Sequence, residues 1–378
     1  MSRFAASEMI SLIDKKPRFD LGGSYGPSLL LEELLDDTVA ARMKQIALGY
    51  GTAQGDAELR KAIADLHGVS RDDVVITAGS MHALFLLAFI LCDRGDEAVL
   101  VTPAFPPTRN ALDSVGANVR VLPLLFDRKY QLDPADLRPL LTEKTKLVTL
   151  ASPQNPSGVA ISADILRDVL TLMQQTCPQA YLLVDDVYRE ATFGDDPVAP
   201  SALLLGRNVI TIASFSKCHG APGLRLGWAI VRDRSMREQL VRGKFTTVIS
   251  SPALEEALAL RILELRDRIL GERRTFLAEC LARTERWVLA NKPVVEWVRP
   301  DGGAICCVRL RPAVFDDAAV ERFYDVLPRV GVRVSNGAWF DEPARVFRLG
   351  FGHLPLTELD AAYEALTAAL RQAVGAAV

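Results

Sequence analysis

The 378-residue chain has no Cys-x-x-Cys pair, no His-x-x-x-His spacing and no clustered block of arginines. Its six cysteines (Cys92, Cys177, Cys218, Cys280, Cys306 and Cys307) are sparse for the length. They read as small buried hydrophobes of a reducing compartment rather than a disulfide framework. The four histidines, His67, His82, His219 and His353, lack ligand spacing, so no metal site is expected. With a net charge of −3 and scattered arginines, the chain has neither a nucleic-acid footprint nor a reason to bind a polyanion. The longest apolar run, residues 83–92, is about half of what a membrane span needs and reads as a buried helix. Residues 1–19 mix Arg, Glu, Asp and Lys without an apolar core, so no signal peptide and no membrane association are expected, and the cytoplasm is the expected location. No G-x-G-x-x-G follows the first strand, which excludes a dinucleotide-binding dehydrogenase.

What is present is alternation. Apolar, β-branched runs at 74–77, 98–102, 119–124, 147–150, 180–184 and 209–213 are separated by helical stretches. Short, nearly unalternated runs of this kind belong to a mostly parallel sheet covered on both faces. From Pro252 the character changes, to a helical tract over 254–289, short strands at 306–310 and 346–349, and a closing amphipathic helix over 356–370. The expected fold class is α/β, a mostly parallel central sheet flanked by helices with a smaller α+β domain. The expected division is an arm over 1–44 that joins the small domain, a large domain over 45–275 and a small domain over 276–378.

In such sheets ligands sit beyond the carboxyl ends of the strands, so the polar residues there carry the functional reading. Ser214-Phe215-Ser216-Lys217 follows one buried strand and precedes Pro222-Gly223-Leu224-Arg225-Leu226-Gly227. A lysine in such a turn forms an imine readily if burial and nearby cations lower its pKa. The hydroxyls of Ser214 and Ser216 and the Arg225 guanidinium suit a phosphate, and the glycines admit a close backbone. Ala151-Ser152-Pro153-Gln154-Asn155-Pro156-Ser157-Gly158 follows a second strand, Val184-Asp185-Asp186-Val187-Tyr188 ends a third, and Thr77-Ala78-Gly79-Ser80-Met81 opens a helix.

With these motifs in this order, the chain resembles the class I/II aminotransferases of the fold-type I pyridoxal 5′-phosphate (PLP) enzymes, over about residues 21–352. The resemblance implies that Lys217 holds PLP as a Schiff base and serves as the proton-transfer base. It implies that Asp185 pairs with the pyridine nitrogen, and that Asn155 and Tyr188 bind the phenolic oxygen. The helix start at Gly79, Ser80 and Met81 would bind the phosphate together with Ser214, Ser216 and Arg225, although Ser80 also reads as a helix cap. Phe105 matches the residue stacked on the ring. Arg348, in Phe347-Arg348-Leu349-Gly350, matches the clamp for the substrate α-carboxylate, where Gly23 and Asn155 also lie. Tyr50 matches a tyrosine that reaches the phosphate from the neighbouring subunit, which implies a homodimer.

Three positions depart from the family pattern. Asp186 stands where Glu is usual and Phe105 where Tyr is commoner. The segment Val334-Ser335-Asn336-Gly337-Ala338-Trp339-Phe340 replaces P-G-x-x-F, with Trp339 expected near the substrate entrance. Dicarboxylate-specific members carry an extra arginine shortly before the S-x-P segment. Here that place reads Phe245-Thr246-Thr247, with Arg242 and Lys244 earlier, which speaks against an aspartate specialist. The resemblance therefore implies transfer of an amino group from an amino acid to a 2-oxo acid by a ping-pong cycle. Elimination or ring closure of a modified amino acid on the same fold is the alternative. A PLP-binding sensor fused to a DNA-binding domain is not expected, since the segment ahead of Leu21 is too short for a helix-turn-helix.

Overall fold

The computed structural model describes residues 7–14, 16–193 and 198–375, so the first six residues of the expected arm lie outside the described residues. The strands in chain order are β1 (Phe19–Asp20), β2 (Val74–Thr77), β3 (Glu97–Thr102), β4 (Asn118–Pro123), β5 (Thr145–Ala151), β6 (Tyr181–Asp185), β7 (Val209–Ser214), β8 (Gly227–Val231), β9 (Val295–Val298), β10 (Ile305–Leu310), β11 (Val332–Arg333), β12 (Ser335–Asn336) and β13 (Val346–Gly350).

Seven strands form one sheet in the order β2-β8-β7-β6-β5-β3-β4. β4, β3, β5, β6 and β7 run parallel, whereas β8 is antiparallel to both β7 and β2. The continuous apolar runs are explained by burial on both faces. Ala98, Leu100, Leu147 and Leu183 point into a core with the helices Gly79–Leu91 and Arg234–Val248. Val99, Val101, Val148, Leu182 and Val184 point into the opposite core, with the helix Ala163–Thr176. Alternate residues of one strand thus fill two different cores, as the period of two requires.

A second, antiparallel sheet has the order β12-β13-β10-β9. It shares a core with the helices Arg266–Ala290, Asp317–Val326 and Leu356–Val374. β1 pairs in parallel with β11, Phe19 opposite Val332, and so ties the N-terminal stretch to this part of the chain. The architecture is the α/β class that residue order implies.

Two features differ from the expectation. The tract over 254–289 is two helices, Ala253–Glu264 and Arg266–Ala290, separated at Leu265, which has φ −98° and ψ 9°. No glycine or proline marks the break. The second helix begins where Arg266 reaches the partly buried Glu190 at 2.6 Å, a contact that sequence spacing does not display. β8 is also unannounced, because it follows directly on the Pro222–Leu224 turn whose residues read as chemistry. Among the described residues no helix is long and apolar enough to cross a membrane.

Candidate active site

A cavity of about 950 Å³ opens at the carboxyl ends of β3, β5, β6 and β7, against the N-terminal stretch and Arg348 of β13. The ends of those strands and the loops after them supply Phe105, Asn155, Asp185, Tyr188, Ser214, Ser216 and Lys217, all on its wall.

Lys217 leaves β7 through a two-residue turn in which the Ser214 hydroxyl accepts the Ser216 N–H at 3.3 Å. Its ammonium donates to Ser24 Oγ at 2.7 Å. Burial is the main cause that lowers its pKa to about 8, Arg348 adds to the shift, and Asp185 opposes it. Asp185 ends β6 and is shifted the other way, to about 6, by burial. The Val187 N–H at 3.1 Å and the charge of Lys217 offset only part of that cost. A buried carboxylate with so little compensation is a place prepared for a cation.

Arg348 is only 1% exposed, and both terminal nitrogens are held. One donates to Asn155 Oδ1 at 2.8 Å; the other donates to the Gly22 carbonyl at 2.7 Å and to Ser335 Oγ at 3.1 Å. The Phe340 ring lies 4.7 Å beneath the guanidinium, while Nε has no partner. Because Asn155 spends its oxygen on Arg348, its amide N–H groups are left for an acceptor elsewhere. The Tyr188 hydroxyl donates to the Ser24 carbonyl at 3.0 Å, and burial pushes its pKa up.

The opposite end of the cavity is built for an anion. The helix Gly79–Leu91 begins after Ala78, which contributes no side-chain cap, so its first N–H groups face outward with the positive end of the helix dipole. Ser80 therefore does not cap this helix, contrary to one of its two sequence readings: it sits inside the first turn and lines the cavity with Met81. Arg225, at φ +51°, donates to the Pro222 carbonyl at 2.9 Å and lies 3.5 Å from Ser216 Oγ. Gly79 has φ +75°, a backbone conformation that favours glycine, and a Cβ there would stand 2.9 Å from Arg225 Nη2.

The structure thus brings together Ser80, Met81, Phe105, Asn155, Asp185, Tyr188, Ser214, Ser216, Lys217, Arg225, Arg348 and Gly23 on one cavity, with Gly79 beside Arg225. Tyr50 is not among them; it is 85% exposed at the surface. Trp339, expected at the substrate entrance, does not border the cavity either. A Cβ on Gly337 would meet the Val346 carbonyl at 2.2 Å, so the turn Gly337–Phe340 is pressed onto β13 and offers Phe340 instead. Sequence reasoning passed over three contributors: the hydroxyl of Ser24, the carbonyl of Gly22 and the hydroxyl of Ser335. No local pattern announces a partner more than three hundred residues away, as for Gly22 and Arg348.

The chain is similar to known proteins over most of its length. The family described as aminotransferase class I and II matches residues 22–366. The capreomycidine synthase of Streptomyces vinaceus is 30% identical over 326 residues, 86% of this chain and 82% of that protein. The arginine–pyruvate transaminase of Pseudomonas aeruginosa is 27% identical over 371 residues, 93% of this chain and 88% of that protein. The crystal structure of a PLP-dependent aminotransferase from Streptococcus suis superposes with a TM-score of 0.86 at 25% identity, covering 94% of each chain.

Proposed function

The chain belongs to the class I and II aminotransferase family and is a PLP-dependent aminotransferase, and from that premise we propose which residues hold the cofactor and the substrate. PLP, when bound, supplies an aldehyde that captures amines and a ring that accepts the electrons left on Cα. The cavity suits it chemically: the uncapped helix start with Arg225, Ser214 and Ser216 for a phosphate, and the uncompensated Asp185 for a protonated ring nitrogen. The Asn155 amide and the Tyr188 hydroxyl serve the phenolic oxygen, and Phe105 a ring face. Lys217 is the attachment point and, once released, the group that takes and returns the proton at Cα. Arg348, held in plane by Asn155, Gly22 and Ser335, takes the α-carboxylate and so fixes how the amino acid is presented, with Gly23 beside it.

The observation that carries this reading is the placement of Lys217, Asp185 and the buried Arg348 on one cavity: Arg348 is the charged group that weighs most on Lys217. The substrates are an amino acid and a 2-oxo acid. The active unit is a homodimer in the cytoplasm, with Tyr50 completing the neighbour's phosphate site, and the chain divides into an arm (1–44), a large domain (45–275) and a small domain (276–378). Ring closure or elimination is a second reading, favoured by the likeness to a synthase.

Mixing the PLP-loaded protein with single amino acids, without acceptor, separates the two. A transaminase stops after one turnover with the cofactor aminated and resumes when a 2-oxo acid is added. Steady release of ammonia or of a cyclised product without acceptor would overturn transamination.

Arg348→Ala is expected to raise KM for the amino acid by about 30- to 5,000-fold, the range for losing one side of a buried charge pair. The absorbance of the PLP-loaded variant should stay that of the parent. Loss of the cofactor itself from this variant would show that Arg348 does not act on the substrate carboxylate.

A further inference from the structure

We propose that Ser24 is a positioning residue for Lys217: its hydroxyl holds the lysine amine whenever that amine is not covalently engaged. The inference rests on the reading of Lys217 as the attachment point.

The contact is short, 2.7 Å, and joins residues 193 positions apart. It is not the chance touch of a free loop, because the stretch carrying Ser24 is pinned from several sides. The Leu21 N–H donates to the Arg333 carbonyl and the Leu21 carbonyl accepts the Gly350 N–H, both at 2.8 Å. The Gly22 carbonyl accepts from Arg348 and the Ser24 carbonyl from Tyr188. A Cβ on Gly350 would fall 1.8 Å from the Gly23 carbonyl, so β13 and this stretch lie directly on each other. The same residues that line the substrate side of the cavity therefore set where the Ser24 hydroxyl sits.

Around the amine stand Asp185, Arg225, Arg348, Cys218 and the ring of Tyr25, whose centroid is 5.7 Å away. Arg348 and Arg225 repel the charged form and Asp185 attracts it. Ser24 Oγ is the acceptor hydrogen-bonded to Nζ. An ammonium that donates to a hydroxyl is favoured over the neutral amine, and its remaining N–H groups are held in a defined direction. Removing the hydroxyl should let the amine lose its proton at lower pH and leave it less well placed when it must exchange a proton with the substrate.

The test uses the cofactor-free full chain, so that its readout does not depend on turnover. PLP is added across a pH series and the rate of its capture by Lys217 is followed by absorbance; one water leaves as the C=N bond forms. In Ser24→Ala the acid limb of the rate profile should move down by about one pH unit. Capture at low pH then becomes faster than in the parent, a gain that mere loosening of the fold would not produce. With PLP loaded, the single-turnover half-reaction should slow by about 10- to 100-fold, with a larger isotope effect from Cα-deuterated amino acid. Ser24→Thr should restore both. If the alanine variant does not fold, Ser24→Cys keeps the size, accepts a hydrogen bond poorly and reads the same limb. An acid limb at the parental pH together with an unchanged isotope effect would sink the proposal. A Lys217→Ala protein that still captures PLP at the parental rate would instead remove the reading on which it rests.

Discussion

Lys217→Ala is expected to bind PLP without fixing it and to lose activity by about 10⁴-fold or more, the upper end of what a positioned base contributes. The side chain stands beyond the carboxyl end of β7, beside Ser24, Asp185 and Arg348. No second amine among the described residues stands at the end of β7. Among the lysines, Lys16 also lines the cavity, but it sits on the N-terminal stretch and is exposed. Lys244 is fully buried elsewhere, with Glu256 as its charged neighbour. Borohydride treatment followed by mass measurement checks the claim: the parent should retain the mass of one PLP per chain and the variant none. A variant that keeps the reduced cofactor would place the attachment point on another residue.

Asp185→Asn should produce the second largest effect, and it should change sign with the state of the protein. With PLP loaded, the buried carboxylate loses its cationic partner on substitution. Breaking such a pair costs about 3–5 kcal/mol, a fall in activity of about 10²- to 10⁴-fold. Without PLP the same carboxylate is a burden, because burial raises its pKa from 3.8 to about 6. A carboxyl raised in the folded state contributes stability that is full below its unfolded pKa and is lost as pH rises through the folded value. Asparagine cannot ionise and does not incur that loss. The cofactor-free variant should therefore melt with the parent near pH 4 and above it once pH exceeds about 6, the gap opening between the two pKa values. Asp186, pushed to about 8 by burial, stays largely protonated over that interval and does not mask the effect. Thermal melts of both apoproteins at three pH values decide it. A variant less stable than the parent at pH 8 would mean that Asp185 already has its cation within the protein.

Both expectations concern residues at strand ends, where sequence reading works well. The apolar runs that end in Asp185 and Ser214 are local signals, because burial on both faces needs an unbroken row of Val, Ile and Leu. A charged residue after such a row has few structural reasons to be there. The helix start at Gly79 is equally local, since its φ above zero favours glycine. Less was legible where the backbone gives no cue. The break at Leu265 lacks glycine and proline, and β8 lies behind a turn whose residues resemble a ligand site. Trp339 seemed well placed by its size, yet the packing of Gly337 on β13 gave the place beneath Arg348 to Phe340.

Residue order alone was enough for the class of fold and for the identities of the lysine, the aspartate and the arginine that face one another. The aspartate and the lysine stand at the ends of apolar runs, whereas the arginine, in the middle of β13, follows only from the resemblance to the aminotransferase family. Only the tertiary structure decided how they are held. Ser24 on Lys217, Asn155 and Gly22 on Arg348, and Tyr188 on the Ser24 carbonyl are hydrogen bonds closed over more than 160 residues. Such bonds leave no spacing in the sequence, because they form where β1, β13 and the ends of the parallel strands are brought together by packing of separate cores.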